Sequence, residues 1–382
     1  MGQTAVVERT SGQGRGFGSP GKYIQRAGEL DRLGEHVLGY GSRALVLVDP
    51  FILSKFGARI TEALTNHDLE FETLQFGGEC SAPEIERITA AARKFQAHVV
   101  VGIGGGKTMD TAKCAAVDIG AYMVIVPTTA STDAPCSAIA VRYTPEGQLD
   151  TGLFLGRNPD LVLVDSAVVA AAPIRYLVAG MGDALSTWPE ARANYEARLD
   201  NFVGARYPAS AAGLGIAKLC HQVLLRDGIA ARLAAEQGLL TPAVENIVEA
   251  NTLLSGVGFE NCGVSAAHGI SDAFAVLDPD HKLLHGEKVG FGVLCLLVLE
   301  GRDSAEFYET WRFMRDVGLP TRLDDLFGPG VGPKEARLIA SAALGDGAST
   351  WRISGPLTVD GVTAAILAAD RQSDALHKLE RT

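Results

Sequence analysis

Short apolar runs alternate with amphipathic stretches through the first half of the chain. Five runs have the composition of strands: 44–48, 71–76, 98–101, 122–126 and 161–164. Between the second and third runs, Ile85, Ile88 and Ala92 recur at helical spacing within residues 82–95. Continuously apolar strands separated by helices predict a parallel sheet that is covered by helices on both faces.

The pattern changes after Asp165. From there the chain is rich in Ala, Leu and Glu, and helix start signals replace the strand-like runs. One such signal is Thr241-Pro242, a capping hydroxyl followed by proline at the first helical position. A chain of 382 residues is too long for one ordinary core. We therefore predict a flexible tail over residues 1–18, an α/β domain over 19–168 and an all-helical domain over 169–382.

Composition narrows the class of protein. The net charge of −11 argues against a nucleic-acid partner, because nucleic-acid binding needs a basic surface. No apolar run approaches the roughly 20 residues of a membrane span, and the N-terminus lacks the apolar core of a signal peptide. The six cysteines are scattered without a CxxC motif, which indicates the reducing cytoplasm rather than a disulfide framework.

A glycine-rich turn, Gly-Ile-Gly-Gly-Gly-Lys-Thr at residues 102–108, follows the third strand and opens a helix. It is not a Walker A motif, since Val101 stands where the first glycine is required. It is not a GxGxxG fingerprint either, since Lys107 takes the place of the third glycine. Glycines let a backbone approach a ligand closely, and a helix N-terminus attracts phosphate. The turn therefore predicts a phosphate-binding site, with a purely structural turn as the alternative.

Two further polar features lie where strands end. Asp49 follows the first strand, where a carboxylate can bind ribose hydroxyls and repel a 2′-phosphate, which would favour NAD over NADP. A turn aspartate before Pro50 is the alternative. The fourth strand is closed by PTTASTDAP, from Pro127 to Pro135. These densely spaced hydroxyls and the Asp133 carboxylate predict the floor of a pocket for a polar ligand.

Three candidate metal ligands lie in the second half of the chain. Asp183 follows Gly180-Met181-Gly182, where we expect a helix to start. His268 lies among small residues, and His285 opens a further helix. One carboxylate and two imidazoles would leave coordination positions open, as a catalytic divalent metal requires. Their wide separation along the chain leaves an alternative, in which each is a capping or buried residue without a metal.

Six motifs extend this interpretation: GGGKTMDTAK, PTTASTDAP, GMGDALSTW, NTLLSGVGFE, AAHGISD and HGEKVGFG. In this order they resemble the glycerol dehydrogenases of the iron-containing (group III) alcohol dehydrogenase superfamily, over most of the chain from about Ser19. The resemblance implies a dehydroquinate synthase-like fold. Such a fold has an N-terminal parallel-sheet nucleotide-binding domain followed by an all-helical metal-binding domain.

The resemblance also implies roles for individual residues. A metal, usually zinc with Fe²⁺ as the alternative, would be held by Asp183, His268 and His285. The residues that would hold NAD are Asp49, Gly104, Gly105, Gly106, Lys107, Asp110, Thr128, Ser131, Ser137, Ile139 and Tyr143. Asp133 matches the residue that orients the polyol. The implied activity is NAD-dependent oxidation of glycerol or a related vicinal diol to the hydroxyketone, by a cytoplasmic homo-oligomer that in this family is often an octamer.

One motif departs from the family. Members often read HAIHNG where this chain has His268-Gly269-Ile270-Ser271-Asp272-Ala273, so Ser271 and Asp272 replace a histidine and an asparagine. Asp272 lies four residues after His268 on an expected helix, where it could accept a hydrogen bond from that ring. An exposed aspartate is the alternative. The departure bears on substrate preference more than on the type of reaction.

Two other kinds of function stay open: a related enzyme with a phosphorylated substrate, and a protein without catalytic activity. Glycerol-1-phosphate dehydrogenase and dehydroquinate synthase share the fold, and their phosphorylated substrates require Lys or Arg in the pocket. Segments 127–137 and 262–273 contain neither residue type, although Lys282, Lys288 and Arg142 lie near other candidate residues. The second alternative is a metal- and nucleotide-binding protein without turnover, which would require a disrupted set of metal ligands.

Overall fold

The computed structural model describes residues 14–204, 207–278 and 282–380. Contacts group them into two compact units. The first comprises Gly18–Leu177 and Ala234–Gly256, and the second comprises the described parts of Met1–Phe17, Val178–Leu233 and Val257–Thr382. The domain limits drawn from the sequence stay a prediction, and residues 1–13 of the predicted tail lie outside the described residues.

The strands of the first unit are β1 (Tyr23–Gln25), β2 (Arg43–Val48), β3 (Glu70–Gln75), β4 (Val99–Gly104), β5 (Tyr122–Pro127), β6 (Ile139–Tyr143), β7 (Leu149–Phe154) and β8 (Leu161–Val164). Six of them form a parallel sheet with the order β1-β8-β5-β4-β2-β3. Strands β6 and β7 form a separate antiparallel hairpin. The five strands predicted from apolar runs are confirmed, with small differences at their ends. The hairpin was not predicted because its strands are only partly buried and lack the continuous apolar run of the sheet strands.

Helices make up most of the rest of the described chain. They are α1 (Leu33–Leu38), α2 (Pro50–Thr65), α3 (Ala82–Phe95), α4 (Gly106–Ile119), α5 (Ser166–Ala170), α6 (Ile174–Ala197), α7 (Ala211–Glu236), α8 (Pro242–Glu249), α9 (Ser255–Cys262), α10 (Ala266–Ala273), α11 (His285–Leu299), α12 (Ser304–Val317), α13 (Leu323–Phe327), α14 (Pro333–Ala343) and α15 (Val359–Leu379). A π-helical turn, Ala250–Leu254, joins α8 to α9.

Burial follows the hydrophobic pattern. Strands β4 and β8 are buried along their whole length, as expected for inner strands of a parallel sheet. Ile85, Ile88 and Ala92 on α3 are buried, which confirms the amphipathic pattern. Thr241 caps α8 by accepting a hydrogen bond from the Val244 amide, as its sequence signal predicts.

The change of pattern after Asp165 is also confirmed. The described residues beyond Val164 contain helices and no named strand. None of the helices in the described ranges is long and apolar enough to cross a membrane.

A buried lysine connects α4 to the segment that follows β5. Lys113 Nζ donates to Asp110 Oδ1 (3.1 Å), Ala134 O (2.6 Å) and Ile139 O (2.9 Å), and its side chain has no exposed surface. Asp110 Oδ2 in turn accepts from the Val141 amide at 2.9 Å. Because an ammonium has three donors, this arrangement satisfies all of them and makes burial of the charge tolerable.

We expect Lys113→Met to lower the free energy of unfolding by about 3–5 kcal/mol, because it leaves the Asp110 carboxylate buried without its cation. Removing both charges in Lys113→Met/Asp110→Leu should cost about 1–3 kcal/mol less than the sum of the single variants. Urea unfolding measures both quantities. Lys94→Met, at an exposed position of α3, is the control and should change stability by no more than about 0.5 kcal/mol. Additive single effects would contradict the pairing.

Candidate functional site

Three side chains that are distant in sequence converge in the second unit. Asp183 Oδ1 lies 3.3 Å from His285 Nε2 and 3.5 Å from His268 Nε2. One ligand atom from each residue lies within 4.8 Å of the other two. Asp183 is buried, whereas 39% of the His285 side chain is exposed, so solvent reaches one side of the cluster. The structure thus brings together the three predicted metal ligands.

Each of the three residues comes from a different helix: α6 supplies Asp183, α10 supplies His268 and α11 supplies His285. Glycines make the close packing of α6 and α11 possible. A Cβ atom on Gly182 would lie 2.2 Å from Gly286 O, and one on Gly286 would lie 1.7 Å from Ala179 O.

This packing corrects one prediction. Asp183 was expected at a helix start, but it lies inside α6, which begins at Ile174. The glycines before Asp183 look like helix breakers in the sequence. In the structure Gly182 stays helical, and its missing side chain leaves room for α11.

A glutamate that the sequence reasoning missed holds the His268 ring. His268 Nδ1 lies 2.7 Å from Glu190 Oε2, and the glutamate side chain is buried. Asp272, the candidate acceptor from the sequence, is exposed instead, which agrees with the alternative stated for that residue. Glu190 lies seven residues after Asp183 on α6, and seven residues are close to two helical turns. The seven-residue spacing can be read from the sequence, but it indicates that both side chains lie on one face only if both residues are known to belong to one helix.

In this cluster the neighbouring charges shift the pKa values of Asp183 and His268 in the direction opposite to burial. Burial by itself would raise the pKa of Asp183, but the His285 and His268 imidazoles outweigh it and hold that pKa below its ordinary value. Burial would lower the pKa of His268, but Glu190 and Asp183 raise it well above its ordinary value. The two buried carboxylates therefore favour a positive charge among these side chains.

The donor set and its spacing fit a divalent metal ion. Metal–ligand distances of about 2.0–2.1 Å at tetrahedral angles place two ligand atoms about 3.4 Å apart. The observed separations of 3.3 and 3.5 Å match this value. Glu190 supplies the hydrogen bond that metal-bound histidines usually make through their second ring nitrogen. Three protein ligands leave at least one coordination position for a substrate.

The polar loop after β5 lies in the first unit and is held by the π-helical turn and the start of α9. Ser255 Oγ donates to Asp133 Oδ2 at 2.8 Å, and Asn251 Nδ2 donates to Ala130 O at 2.9 Å. A Cβ atom on Gly256 would lie 2.7 Å from Asp133 O. Ser255 and Asn251 belong to the NTLLSGVGFE motif, to which the sequence alone assigned no role.

Several predicted nucleotide-binding residues lie at the carboxyl ends of adjacent parallel strands. Asp49 follows β2, Gly104 ends β4 and Thr128 follows β5. A Cβ atom on Gly104 would lie 2.9 Å from Asp49 Cβ, so these two residues are neighbours. Asp49 Oδ1 caps α2 by accepting from the Phe51 and Ile52 amides. Asp49 therefore has the structural role that was its alternative, because Oδ1 caps the helix that begins at Pro50. Its role in binding ribose stays a prediction.

No contact within the protein explains why residue 105 is a glycine. Its φ of −84° is open to any residue, and an added Cβ would meet no atom within 4 Å. It precedes α4, whose free amides form an anion-binding end. Beside it, Lys107 pairs with Glu79 and lies 4.8 Å from the centre of the Tyr143 ring. A glycine without an internal reason is what a closely bound phosphate group would require.

The remaining predicted nucleotide residues have internal contacts. Asp110 is bound to Lys113 and the Val141 amide, and Lys113 also holds Ile139 O. Ser137 is buried, and Ser131 Oγ lies 3.2 Å from Thr129 Oγ1. Their roles toward NAD stay predictions, and the contacts of Asp110 provide it with a structural role of its own.

Comparison with known proteins connects this geometry to a family. Residues 20–166 match the model of iron-containing alcohol dehydrogenases. A glycerol dehydrogenase from Escherichia coli O6:H1 (strain CFT073) is 44% identical over 353 residues, which cover 92% of this chain and 96% of that protein. A glycolaldehyde reductase from Halobacterium salinarum is 37% identical over 354 residues, with coverage of 93% and 96%.

A solved structure agrees with the sequence comparisons. The crystal structure of a probable glycerol dehydrogenase from Sinorhizobium meliloti 1021 has 54% sequence identity and a TM-score of 0.89, and the match covers 95% of this chain and 100% of that one. The similarity therefore spans both units. The chain belongs to the glycerol dehydrogenase group of the iron-containing alcohol dehydrogenase family.

Proposed function

We propose that this protein oxidises glycerol or a related vicinal diol to the hydroxyketone, with NAD and a bound divalent metal ion. The observation that carries the proposal is the cluster of Asp183, His268 and His285, with metal-compatible separations of 3.3 and 3.5 Å. The relatives named glycerol dehydrogenase supply the substrate class.

Asp183, His268 and His285 would hold the metal. We propose zinc, because one carboxylate and two imidazoles with an open position suit a catalytic zinc site, and Fe²⁺ is the alternative. An ion held there would supply Lewis-acid chemistry and would lower the pKa of a coordinated hydroxyl. The contribution of the protein is to hold three ligands on three packed helices and to leave one side of the cluster accessible.

NAD would lie against the turn after β4. Gly105 would let the backbone approach the pyrophosphate, and the start of α4 presents amides. Lys107, which pairs with Glu79 in this structure, would turn its ammonium toward the phosphate. Asp49 would accept hydrogen bonds from ribose hydroxyls. NAD, when bound there, would supply the hydride acceptor for the oxidation. Thr128, Ser131, Ser137, Ile139 and Tyr143 stay proposed members of the site.

Asp133 would orient the polyol. As an ionised carboxylate it only accepts hydrogen bonds, and Ser255 fixes one of its oxygens. Segment 127–137 contains no Lys or Arg, so it suits a neutral hydroxyl donor rather than a phosphate. This observation weighs against the glycerol-1-phosphate and dehydroquinate synthase alternatives. A binding protein without turnover is disfavoured because all three metal ligands converge.

A second candidate is the reduction of a short hydroxyaldehyde. The Halobacterium salinarum relative is named for glycolaldehyde, and the same metal and nucleotide residues would serve it. We also propose a cytoplasmic location, since all six cysteines are free and buried. A homo-oligomer stays an expectation from the family resemblance.

Metal removal tests the proposed function. A chelator should abolish NADH formation from glycerol, and Zn²⁺ should restore it; Fe²⁺ added without oxygen tests the alternative ion. Zn²⁺ at 100 times its Kd should stabilise the chelator-treated protein by about 2.7 kcal/mol, seen as a higher Tm, and Asp183→Asn should lose most of this shift. Parallel assays cover 1,2-propanediol, glycerol 1-phosphate and glycolaldehyde reduction. Full turnover after complete metal removal would contradict the proposal.

Gly105→Ala tests the nucleotide site. The new Cβ meets no protein atom, so the free energy of unfolding should change by less than about 1 kcal/mol. It would intrude on a bound pyrophosphate, so the Kd for NADH, measured by fluorescence titration, should rise about tenfold or more, equivalent to about 1.4 kcal/mol. Gly215→Ala on α7 also meets no atom and should bind NADH normally. If both variants bind NADH with the same affinity, the turn at Gly105 does not contact the nucleotide.

Ser255→Ala tests the role of Asp133. Losing a hydrogen bond to a charged group costs about 1.5–3 kcal/mol, so the KM for glycerol should rise about 10–100-fold while the Kd for NADH stays unchanged. Thr252→Val is the matched control, since Thr252 lies in the adjacent π-helical turn but bonds Tyr23 and Val248 O instead. An unchanged KM in Ser255→Ala would contradict the proposal that Asp133, held by Ser255, orients the substrate.

A further inference from the structure

Glu190 makes three hydrogen bonds with one carboxylate. Oε1 accepts from the backbone amides of Ser265 (2.8 Å) and His268 (2.9 Å), and Oε2 lies 2.7 Å from His268 Nδ1. The side chain is 1% exposed. One residue therefore holds both the start of α10 and the imidazole that α10 carries.

The location of Glu190 couples it to a second proposed ligand. Asp183 and Glu190 both project from α6, about two turns apart. Asp183 Oδ1 lies 3.5 Å from His268 Nε2, and Glu190 Oε2 lies 2.7 Å from His268 Nδ1. The two carboxylates of a single helix thus face the two nitrogens of one imidazole ring.

This arrangement determines which ring nitrogen carries the proton. A carboxylate can only accept a hydrogen bond, so a proton must stay on His268 Nδ1. In the neutral ring the Nε2 lone pair then faces Asp183, where the metal would bind. We infer that Glu190 is a positioning residue that fixes the Nδ1–H tautomer of His268 and thereby sets the metal affinity of the site. The inference rests on the proposed metal but not on the identity of the alcohol substrate.

Glutamine cannot reproduce these contacts, although it has nearly the same shape. If its oxygen faces the Ser265 and His268 amides, its NH₂ group meets Nδ1 and favours the tautomer with the proton on Nε2, which cannot bind a metal. If its oxygen faces Nδ1, its NH₂ group meets two backbone N–H donors and leaves them unsatisfied. Either orientation weakens the site.

The test measures zinc binding without turnover. Chelator-treated protein competes for Zn²⁺ with a chromophoric chelator of known affinity, and the Zn²⁺-induced shift in Tm is recorded in parallel. We expect Glu190→Gln to raise the Kd for Zn²⁺ about 10–100-fold and to reduce the shift in Tm. Glu300→Gln is the charge control, since Glu300 in the same unit pairs with Arg192 and Arg302 and should leave the Kd unchanged.

Glu190→Asp separates geometry from charge, and it also decides the question if the glutamine variant fails to fold. The shorter side chain keeps the negative charge but cannot reach both α10 amides and the ring, so its Kd for Zn²⁺ should also rise. A Kd within about twofold of the wild-type value in either variant would overturn the inference. Zinc binding by the wild type without polyol oxidation would overturn only the proposed substrate. Failure of the wild type to bind Zn²⁺ and, without oxygen, Fe²⁺ would overturn both proposals.

Discussion

The approach of α6 to α11 is the constraint on which the proposed metal centre depends. Helix axes usually lie about 8–10 Å apart, at a distance set by the side chains in the contact. Gly182 and Gly286 leave no side chain there, and a Cβ atom on either would overlap the opposite backbone. Glycine inside a helix costs about 1 kcal/mol relative to alanine. The chain bears this cost at Gly182, which lies inside α6. The close contact brings Asp183 Oδ1 to 3.3 Å from His285 Nε2.

Buried charges in this protein are stabilised in two different ways. Lys113 and Asp165 find complete sets of partners within the first unit: Lys113 has three acceptors, and Asp165 binds Arg59 and the amides of Gly28 and Leu30. Asp183 instead faces two imidazoles, which would serve as neutral ligands of the proposed metal. Burial of a charge is tolerated when all its polar atoms have partners, whereas a buried carboxylate that faces two candidate metal ligands marks a place where chemistry can occur.

The sequence predicted those features that depend on local periodicity. The apolar runs gave the correct strands, the spacing of Ile85, Ile88 and Ala92 gave α3, and Thr241-Pro242 gave the start of α8. It misplaced Asp183 at a helix start, because glycine in a sequence indicates a break unless the packing partner is known. It assigned no role to Glu190 or Ser255, since their partners, His268 and Asp133, lie 78 and 122 residues away.

The sequence by itself determined the class of fold, the three ligand types and the family, because hydrophobic period and ordered motifs are properties of the linear chain. Tertiary structure alone decided that Asp183, His268 and His285 converge, that Glu190 rather than Asp272 meets the His268 ring, and that Ser255 holds Asp133. The physical reason is that ligand geometry is a matter of ångströms between separate elements. Those distances are set by how closely backbones pack, and no local spacing in a sequence encodes them.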